Sequence, residues 1–175
     1  VQQARGELDV LETARDLGLD LEAPQRGEPR AFKSHLAADV VPAGARYIVA
    51  VRDPCDAMVS AHKFFEGWFF EPGSISVETL ARAHFLATRD YYTHLASWLR
   101  RRDDPAVLLL AYEHMLRTSR PTVARIAAFI GIDADDALVD LALEQSSLAT
   151  MQANAAKYDD LMMRTHSETA CDLPA

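Results

Sequence analysis

Lys33 and His35 stand two positions apart in the segment RAFKSH, which spans residues 30–35. A short strand is expected there. Strand geometry sends alternate side chains to the same face, so both groups would point the same way. A fixed cation beside an imidazole suits a reaction in which a base removes a proton while negative charge on a leaving group is neutralised. The alternative is that both are solvated residues on an edge strand.

A second candidate group follows the apolar run YIVAV, residues 47–51, and begins with Arg52. The run predicts a buried parallel strand, whose carboxyl end would open on the crevice where α/β sheets bind ligands. Asp53 is a favourable N-cap and Pro54 fits the first helical position, so a helix is expected to begin directly behind the arginine. The amino end of that helix adds partial positive charge at the same point.

Anion binding is the chemistry that these residue types suggest. A guanidinium at the end of a strand is suited to binding a negatively charged group. The hydroxyl of Ser60, roughly two turns along the helix, is placed to help Arg52 hold one phosphate. The alternative is that Arg52 pairs with Asp53, Asp56 or another carboxylate and only stabilises the edge of the sheet.

Strand and helix patterns alternate along the chain, which favours a single α/β domain over residues 1–175. Residues 47–51 and 106–112 are the strongest strand patterns, and both lack the alternation of strands that face solvent on one side. The expected architecture is therefore a parallel β-sheet flanked by helices on both faces.

Helices are expected on either side of these strands. Apolar residues at spacings of three or four predict a helix over residues 6–19 and one long helix over residues 77–102. Another helix is expected to begin near Ser119 and to end at Gly131, and a further one to follow within residues 133–145. These helices would supply the layers that cover the sheet.

Composition limits the classes of partner. The chain carries a formal net charge of −8, which argues against nucleic acid or an anionic membrane as its main partner. Its two cysteines, Cys55 and Cys171, lie far apart, so neither a disulfide framework nor a zinc site is indicated. No apolar run approaches the length of about 18 residues that a membrane span needs. A cytoplasmic protein is expected.

Five segments, taken in order, resemble those of the sulfotransferases that use 3′-phosphoadenosine 5′-phosphosulfate (PAPS), in particular the cytosolic type. They are FKSHL, YIVAVRDPCDAMVS, LLLAYEHM, PTVARIAAFIGI and, more weakly, QSSLATMQAN. The resemblance covers residues 29–154. It implies a P-loop-type nucleotide-binding fold that transfers a sulfonate from PAPS to a hydroxyl or amine of a small-molecule acceptor.

The resemblance assigns the catalytic roles to the first pair of residues. His35 would be the general base that takes the acceptor proton, and Lys33 would neutralise charge near the transferring sulfonate and the 5′-phosphate. Sulfonate transfer resembles phosphoryl transfer in its loose, in-line transition state, so the protein mainly positions two substrates and stabilises displaced charge. No metal is implied.

The resemblance assigns the donor nucleotide to five further residues. Arg52 and Ser60 would hold the 3′-phosphate, and Tyr112 would lie against the nucleotide. Ser146 and Leu148 would fall near the adenine, although the family has an aromatic residue where this chain has Leu148.

Two elements of the resembling family have no counterpart in this chain. One is a glycine-containing phosphate-binding loop with a lysine, which should precede all the segments quoted above, and the other is a carboxyl-terminal Arg-Lys-Gly element. We therefore expect residues 1–175 to represent a domain that is incomplete at both ends. On its own it would lack the cradle for the 5′-phosphosulfate.

The segment KFFEGWFFEPG, residues 63–73, bears on the acceptor. Its aromatic residues are Phe64, Phe65, Trp68, Phe69 and Phe70. In the resembling enzymes this region helps form the acceptor pocket, so an aromatic or apolar acceptor is expected. The alternatives are ordinary core packing and a homodimer contact.

Two other function classes stay open at this point. A P-loop kinase-like phosphotransferase would require magnesium and a Walker-type loop upstream of the chain. A non-catalytic interaction module would keep the fold and bind a partner without transferring a group.

Overall fold

The computed structural model describes residues 29–66 and 69–155. In chain order its elements are β1 Tyr47–Val51, α1 Pro54–Phe65, α2 Val77–Leu80, a π-helical segment Ala81–Leu86, α3 Asp90–Leu99, β2 Val107–Ala111, α4 Tyr112–Arg117, α5 Ser119–Ile130, α6 Asp136–Gln145 and α7 Leu148–Ala153. The helix expected over residues 6–19, Trp68 and Cys171 lie outside the described residues. Strands and helices alternate, as the sequence predicts for an α/β fold.

The two strands pair in parallel, with Tyr47 opposite Val107 at one end and Val51 opposite Ala111 at the other. Parallel neighbours need a long crossover, and the helical segments of residues 54–99 supply it. Both strands therefore end at the same edge. The prediction of a parallel pair is confirmed.

The core beside the sheet is built around Trp98. Its side chain is 4% exposed and packs with Val49 of β1 and Val107 of β2. The ring of Tyr47 lies 5.3 Å from the Trp98 ring, and the guanidinium of Arg101 lies over both, at 4.9 and 5.7 Å from their centroids. Helix α3 is thus attached to the first residues of both strands.

The two strands differ in how completely they are covered. In β2, both Leu108 and Leu110 are buried on the face opposite to Val107. In β1, the alternate positions Ile48 and Ala50 are exposed, and Ile48 retains 44% of its accessible surface. Within the described residues, this face of β1 is therefore less covered than the same face of β2.

Local capping explains the boundaries of two helices. Helix α1 begins at Pro54 behind the N-cap Asp53, as predicted, since the Asp53 carboxylate accepts hydrogen bonds from the next free backbone N–H groups. Helix α5 begins at Ser119 and ends at Gly131, which has the left-handed backbone conformation (φ 81°) that favours glycine. Helix α6 lies within the predicted range and is capped by Asp135.

The single helix predicted over residues 77–102 is wrong. A π-helical segment follows α2, and Arg89 then adopts a left-handed conformation (φ 59°) that separates it from α3. Thr88 stabilises this break, because its hydroxyl donates to the His84 carbonyl and accepts from the Asp90 N–H at 3.2 Å. Apolar spacing continues through the break, so periodicity alone does not reveal it.

The strand predicted for residues 30–35 is also wrong. Residues 30–37 are irregular apart from a bridge at Lys33. The chain just after them is anchored to α3, because the Trp98 indole N–H donates to the Leu36 carbonyl at 3.3 Å and the Ala38 N–H donates to the Ser97 hydroxyl at 3.0 Å. Side-chain bonds replace a strand ladder here.

The chain divides into two compact units. One contains residues 1–35 and 134–175, and the other contains Leu36–Asp133. The described part of the first unit includes the segment with Lys33 and the helices α6 and α7, and the second contains the sheet and the other helices. Each is described below by itself.

Candidate functional site

The residue Arg52 directly follows β1, at the carboxyl edge of the sheet. Its backbone carbonyl accepts a hydrogen bond from the hydroxyl of Tyr91 on α3, far away in sequence. Burial raises the pKa of the Tyr91 hydroxyl above its ordinary value, and the nearby carboxylates of Asp53 and Glu113 raise it further. Tyr91 therefore stays protonated and keeps its donor at neutral pH.

The side chain of Arg52 makes one aromatic contact, and no salt bridge joins it to a carboxylate in the part of the chain that the structure describes. Its guanidinium carbon lies 4.8 Å from the centroid of the Tyr112 ring. Its Nε is buried and has no hydrogen-bond acceptor among the described residues. The alternative that Arg52 pairs with Asp53 or Asp56 is not what these residues show. A guanidinium held in this way still requires an acceptor.

The turn between β1 and α1 is held at a second point. The backbone N–H of Asp53 donates to Oε1 of Glu113 on α4 at 2.9 Å. This bond lowers the pKa of Glu113 below its ordinary value, a bond to the backbone N–H of Glu113 adds to the effect, and the nearby Arg52 contributes a smaller lowering. Glu113 is thus ionised at neutral pH and accepts the bond as a carboxylate.

The amino end of α1 is already satisfied by its own cap. The Asp53 carboxylate accepts from the N–H groups of Cys55 at 2.9 Å and Asp56 at 3.3 Å, and the Ala57 N–H bonds to the Asp53 carbonyl at 2.8 Å. Pro54 has no N–H. An anion at this point would therefore form its hydrogen bonds with side chains rather than with these helix amides, and the partial positive charge of the helix end stays a prediction.

The predicted partner of the arginine, Ser60, is exposed on α1. It lies six residues after Pro54, or about 9 Å along the helix axis at 1.5 Å per residue. The structure thus places the guanidinium at the strand end and the hydroxyl farther along the following helix. Tyr112 is the one predicted nucleotide residue that is in direct contact with Arg52.

The remaining predicted residues belong to the other unit. Lys33 and His35 are both exposed, with the less exposed Ser34 between them. Ser146 is the C-cap of α6, and its hydroxyl donates to the Leu143 carbonyl at 3.3 Å. Leu148 is the first residue of α7 and is 71% exposed. All four predicted side chains are therefore accessible to a ligand or to solvent.

An aromatic cluster lies beside α1 and the π-helical segment. Phe65 is at its centre, with the ring of Phe69 at 5.3 Å and that of His84 at 5.9 Å. The ring of Phe85 stacks on Tyr91 at 5.6 Å, so the cluster reaches the residue that contacts the Arg52 carbonyl. Phe69 is 73% exposed and Phe64 is 47% exposed, so the core-packing alternative accounts for only part of the segment.

Two residues at the turn were not predicted, Tyr91 and Glu113. Tyr91 lies within the helix predicted over residues 77–102 and Glu113 within the LLLAYEHM segment, and neither pattern assigns a site role to them. The signal for Glu113 was present, since it follows the end of the second parallel strand and parallel strands end at the same edge of a sheet. Nothing in the local pattern points to Tyr91.

Comparison with known proteins decides the family. The family profile described as "Sulfotransferase domain" matches residues 11–170. The chain belongs to the sulfotransferase domain family. Rat sulfotransferase 2A1 is 30% identical over 158 residues, a match that covers 85% of this chain and 55% of the relative. The 3-alpha-hydroxysteroid sulfotransferase of Cavia porcellus is 29% identical over 136 residues, covering 73% and 47%.

Solved structures show the same fold. Retinol dehydratase in complex with androsterone and the inactive cofactor PAP superposes with a TM-score of 0.66 at 24% identity, covering 78% of this chain and 42% of that one. A mouse sulfotransferase complexed with PAP gives a TM-score of 0.65 at 24% identity, covering 78% and 50%. This sulfotransferase domain spans about half the length of the curated relatives it matches.

No helix within residues 29–66 and 69–155 combines the length and hydropathy that crossing a membrane requires. In the same ranges, no three His, Cys, Asp or Glu side chains are grouped so that they could hold a metal ion.

Proposed function

We propose that this sulfotransferase domain is part of an enzyme that transfers a sulfonate from PAPS to a hydroxyl or amine of a small apolar acceptor. The observation that carries the proposal is the Arg52 side chain. It lies at the carboxyl end of a parallel strand, stacks on Tyr112, and has a buried Nε without an acceptor among the described residues. A phosphate oxygen would supply that acceptor.

Each proposed role follows from the chemistry of the side chain. PAPS, when bound, supplies an activated sulfonate and a 3′-phosphate. Arg52 and Ser60 would bind the 3′-phosphate through charge and hydrogen bonds, and Tyr112 would lie against the nucleotide. Ser146 and Leu148 would contact the adenine, and the exposed Leu148 would offer it an apolar surface.

The proposed reaction requires a base and a cation near the leaving group. His35 would accept the proton of the attacking hydroxyl, and Lys33, two residues away, would neutralise charge on the 5′-phosphate side. Both side chains are exposed to solvent, so a substrate can reach them. No metal-dependent step is needed, because positioning and charge stabilisation account for such transfers.

The acceptor is proposed to be flat and apolar. Phe64 and Phe69 expose aromatic surface on the same cluster that contacts Tyr91, and such surface is suited to stacking on a ring system. Two structures of the related retinol dehydratase are complexes with androsterone and with retinol, which supports an acceptor of this class. A cytoplasmic location is a further part of the proposal, and a homodimer contact is the alternative role for the exposed aromatic residues.

The test is sulfonate transfer from radiolabelled PAPS to a panel of hydroxysteroids and phenols by the purified full-length protein, with and without EDTA. Labelled sulfate ester that forms equally in EDTA supports the proposal. If the protein instead transfers phosphate from ATP and requires magnesium to do so, the kinase alternative would replace the sulfotransferase proposal. A folded protein that transfers neither group under any condition would leave the interaction module as the function.

A further inference from the structure

The turn that carries Arg52 is held from outside by two side chains. Tyr91 of α3 donates its hydroxyl to the Arg52 carbonyl, and Glu113 of α4 accepts the Asp53 N–H at 2.9 Å. Asp53 is an N-cap with non-helical angles (φ −50°, ψ 128°), so its N–H takes no part in the helical hydrogen-bond ladder. Each bond satisfies a main-chain group that the strand and the helix leave unpaired.

Helix α4 also contacts the arginine side chain. Tyr112, the residue before Glu113, supplies the ring under the guanidinium at 4.8 Å. The first two residues of α4 therefore contact the side chain of one turn residue and the backbone of the next. On the α3 side, the Tyr91 ring stacks on Phe85 at 5.6 Å with an interplanar angle of 26°, which fixes the direction of its hydroxyl.

A cation binds an anion most tightly when it is already in place. If the turn were free to move, binding would have to order both the backbone of residues 52–53 and the long arginine side chain, and that cost would reduce affinity. Holding both polar atoms of the one peptide group that joins residues 52 and 53 limits where the guanidinium can go. A contact with the side chain alone would hold the guanidinium group but would not hold the backbone from which the side chain extends.

We propose that Tyr91 and Glu113 are positioning residues, which hold the turn of residues 52–53 so that Arg52 is pre-organised to bind the 3′-phosphate. The inference rests on the proposed function, because it assumes that the ligand of Arg52 is that phosphate. It goes beyond it in giving a role to two residues that do not themselves touch the nucleotide.

The experiment compares two probe ligands that differ only in the 3′-phosphate. Calorimetry measures the binding of adenosine 3′,5′-bisphosphate and of adenosine 5′-monophosphate to the purified protein and its variants. The ratio of the two dissociation constants reports the contribution of the 3′-phosphate. Thermal unfolding of each variant is measured in parallel, so that a general loss of stability is recognised.

The variants isolate single hydrogen bonds. Tyr91→Phe removes the hydroxyl and keeps the ring on Phe85, and Tyr92→Phe, on the neighbouring exposed tyrosine, is its matched control. Glu113→Ala removes the acceptor for the Asp53 N–H, whereas Glu113→Gln keeps a carbonyl oxygen in its place. The glutamate pair keeps the proposal testable if Tyr91→Phe does not fold.

The expected result is a loss of about three- to tenfold in the bisphosphate preference for Tyr91→Phe and Glu113→Ala, the effect of one hydrogen bond. Glu113→Gln and Tyr92→Phe should keep most of the preference, and monophosphate binding should be unchanged throughout. The positioning role would be overturned if Tyr91→Phe and Glu113→Ala both keep the wild-type preference, or if they lose affinity for the bisphosphate and the monophosphate equally. A wild-type protein with no preference would instead overturn the proposed 3′-phosphate site.

Discussion

The guanidinium of Arg52 lies 4.8 Å from the ring centroid of Tyr112, so the first residue after β1 is stacked on the first residue of α4. The two come together because β1 and β2 are parallel neighbours in register, with Val51 opposite Ala111. The residue after each strand therefore reaches the same edge. A planar cation stacked on an aromatic face keeps its N–H edges available for an anion.

Arg52→Ala is expected to weaken binding of adenosine 3′,5′-bisphosphate by about 10- to 100-fold, the effect of losing hydrogen bonds to a charged group. Arg52→Lys should recover only part of the loss, since an ammonium cannot offer a planar pair of donors. Isothermal calorimetry measures both. Arg82→Ala is the control, because that arginine forms an exposed pair with Glu78 on the crossover. Equal affinities in all four proteins would contradict the assignment.

His35→Ala is expected to reduce sulfonate transfer by about 10²- to 10⁴-fold, the usual contribution of a general base. Because His35 is exposed, the thermal midpoint and bisphosphate affinity should stay at their wild-type values. His114→Ala removes another exposed imidazole and should leave the rate unchanged. Transfer that continues at the wild-type rate in the first variant would remove His35 from the mechanism.

Phe69→Ala is expected to raise the KM for an apolar acceptor about tenfold, because a largely exposed ring that stacks on the acceptor is lost. The KM for PAPS should not change. Leu116→Ala, which truncates an exposed apolar residue of α4, is the control. A change in sedimentation instead of KM would assign Phe69 to a dimer contact.

Asp104→Asn is expected to lower the thermal midpoint at neutral pH and to lose that effect in acid. Bonds from the Ala106 N–H and from Arg101 lower the pKa of Asp104 below its ordinary value of 3.8. The carboxylate therefore stabilises the fold above the ordinary pKa, and that contribution disappears as the pH falls through the lowered value.

Thermal scans of wild type and Asp104→Asn between pH 7 and pH 2 would show whether the two thermal midpoints become equal as the pH falls. The neighbouring Asp103→Asn provides the control, since Asp103 is 91% exposed and its oxygen lies 3.5 Å from Arg102. Its scans should follow the wild type at every pH, because an exposed pair contributes little. Parallel curves for Asp104→Asn down to pH 2 would show that its charge is not involved.

Arg89→Gly is expected to leave stability unchanged or to raise it by up to about 1 kcal/mol. Glycine relieves a left-handed strain of about 1–2 kcal/mol and loses about 0.5–1 kcal/mol through greater freedom of the unfolded chain. Arg82→Gly, inside the helical segment, should cost about 1 kcal/mol. Urea unfolding distinguishes them, and an equal cost at both positions would contradict the left-handed assignment at Arg89.

Local rules predicted the elements that depend on neighbouring residues. Pro54 and Gly131 mark helix ends because their backbone preferences act within a few residues, and the run of residues 47–51 forms the predicted strand. The single helix over residues 77–102 failed because Thr88 bonds to nearby backbone groups and interrupts the helix without interrupting the apolar spacing.

Only the residues of the candidate site that directly follow a strand could be predicted from the sequence. Arg52 and Tyr112 each follow a strand pattern, and a parallel pairing brings strand ends together. The bonds from Tyr91 and Glu113 connect residues 39 and 60 positions apart, and no spacing rule covers such pairs. Coverage of β1 likewise depends on which parts of the chain pack over Ile48, which the strand sequence does not specify.

The two bonds at the β1–α1 turn both end on main-chain atoms, the carbonyl of residue 52 and the N–H of residue 53. Neither depends on the side chain that residue 52 carries. The turn backbone and the side chain at position 52 can therefore vary independently. A single substitution at position 52 would change the charge that the turn presents to a ligand, while both hydrogen bonds that hold the turn stay in place.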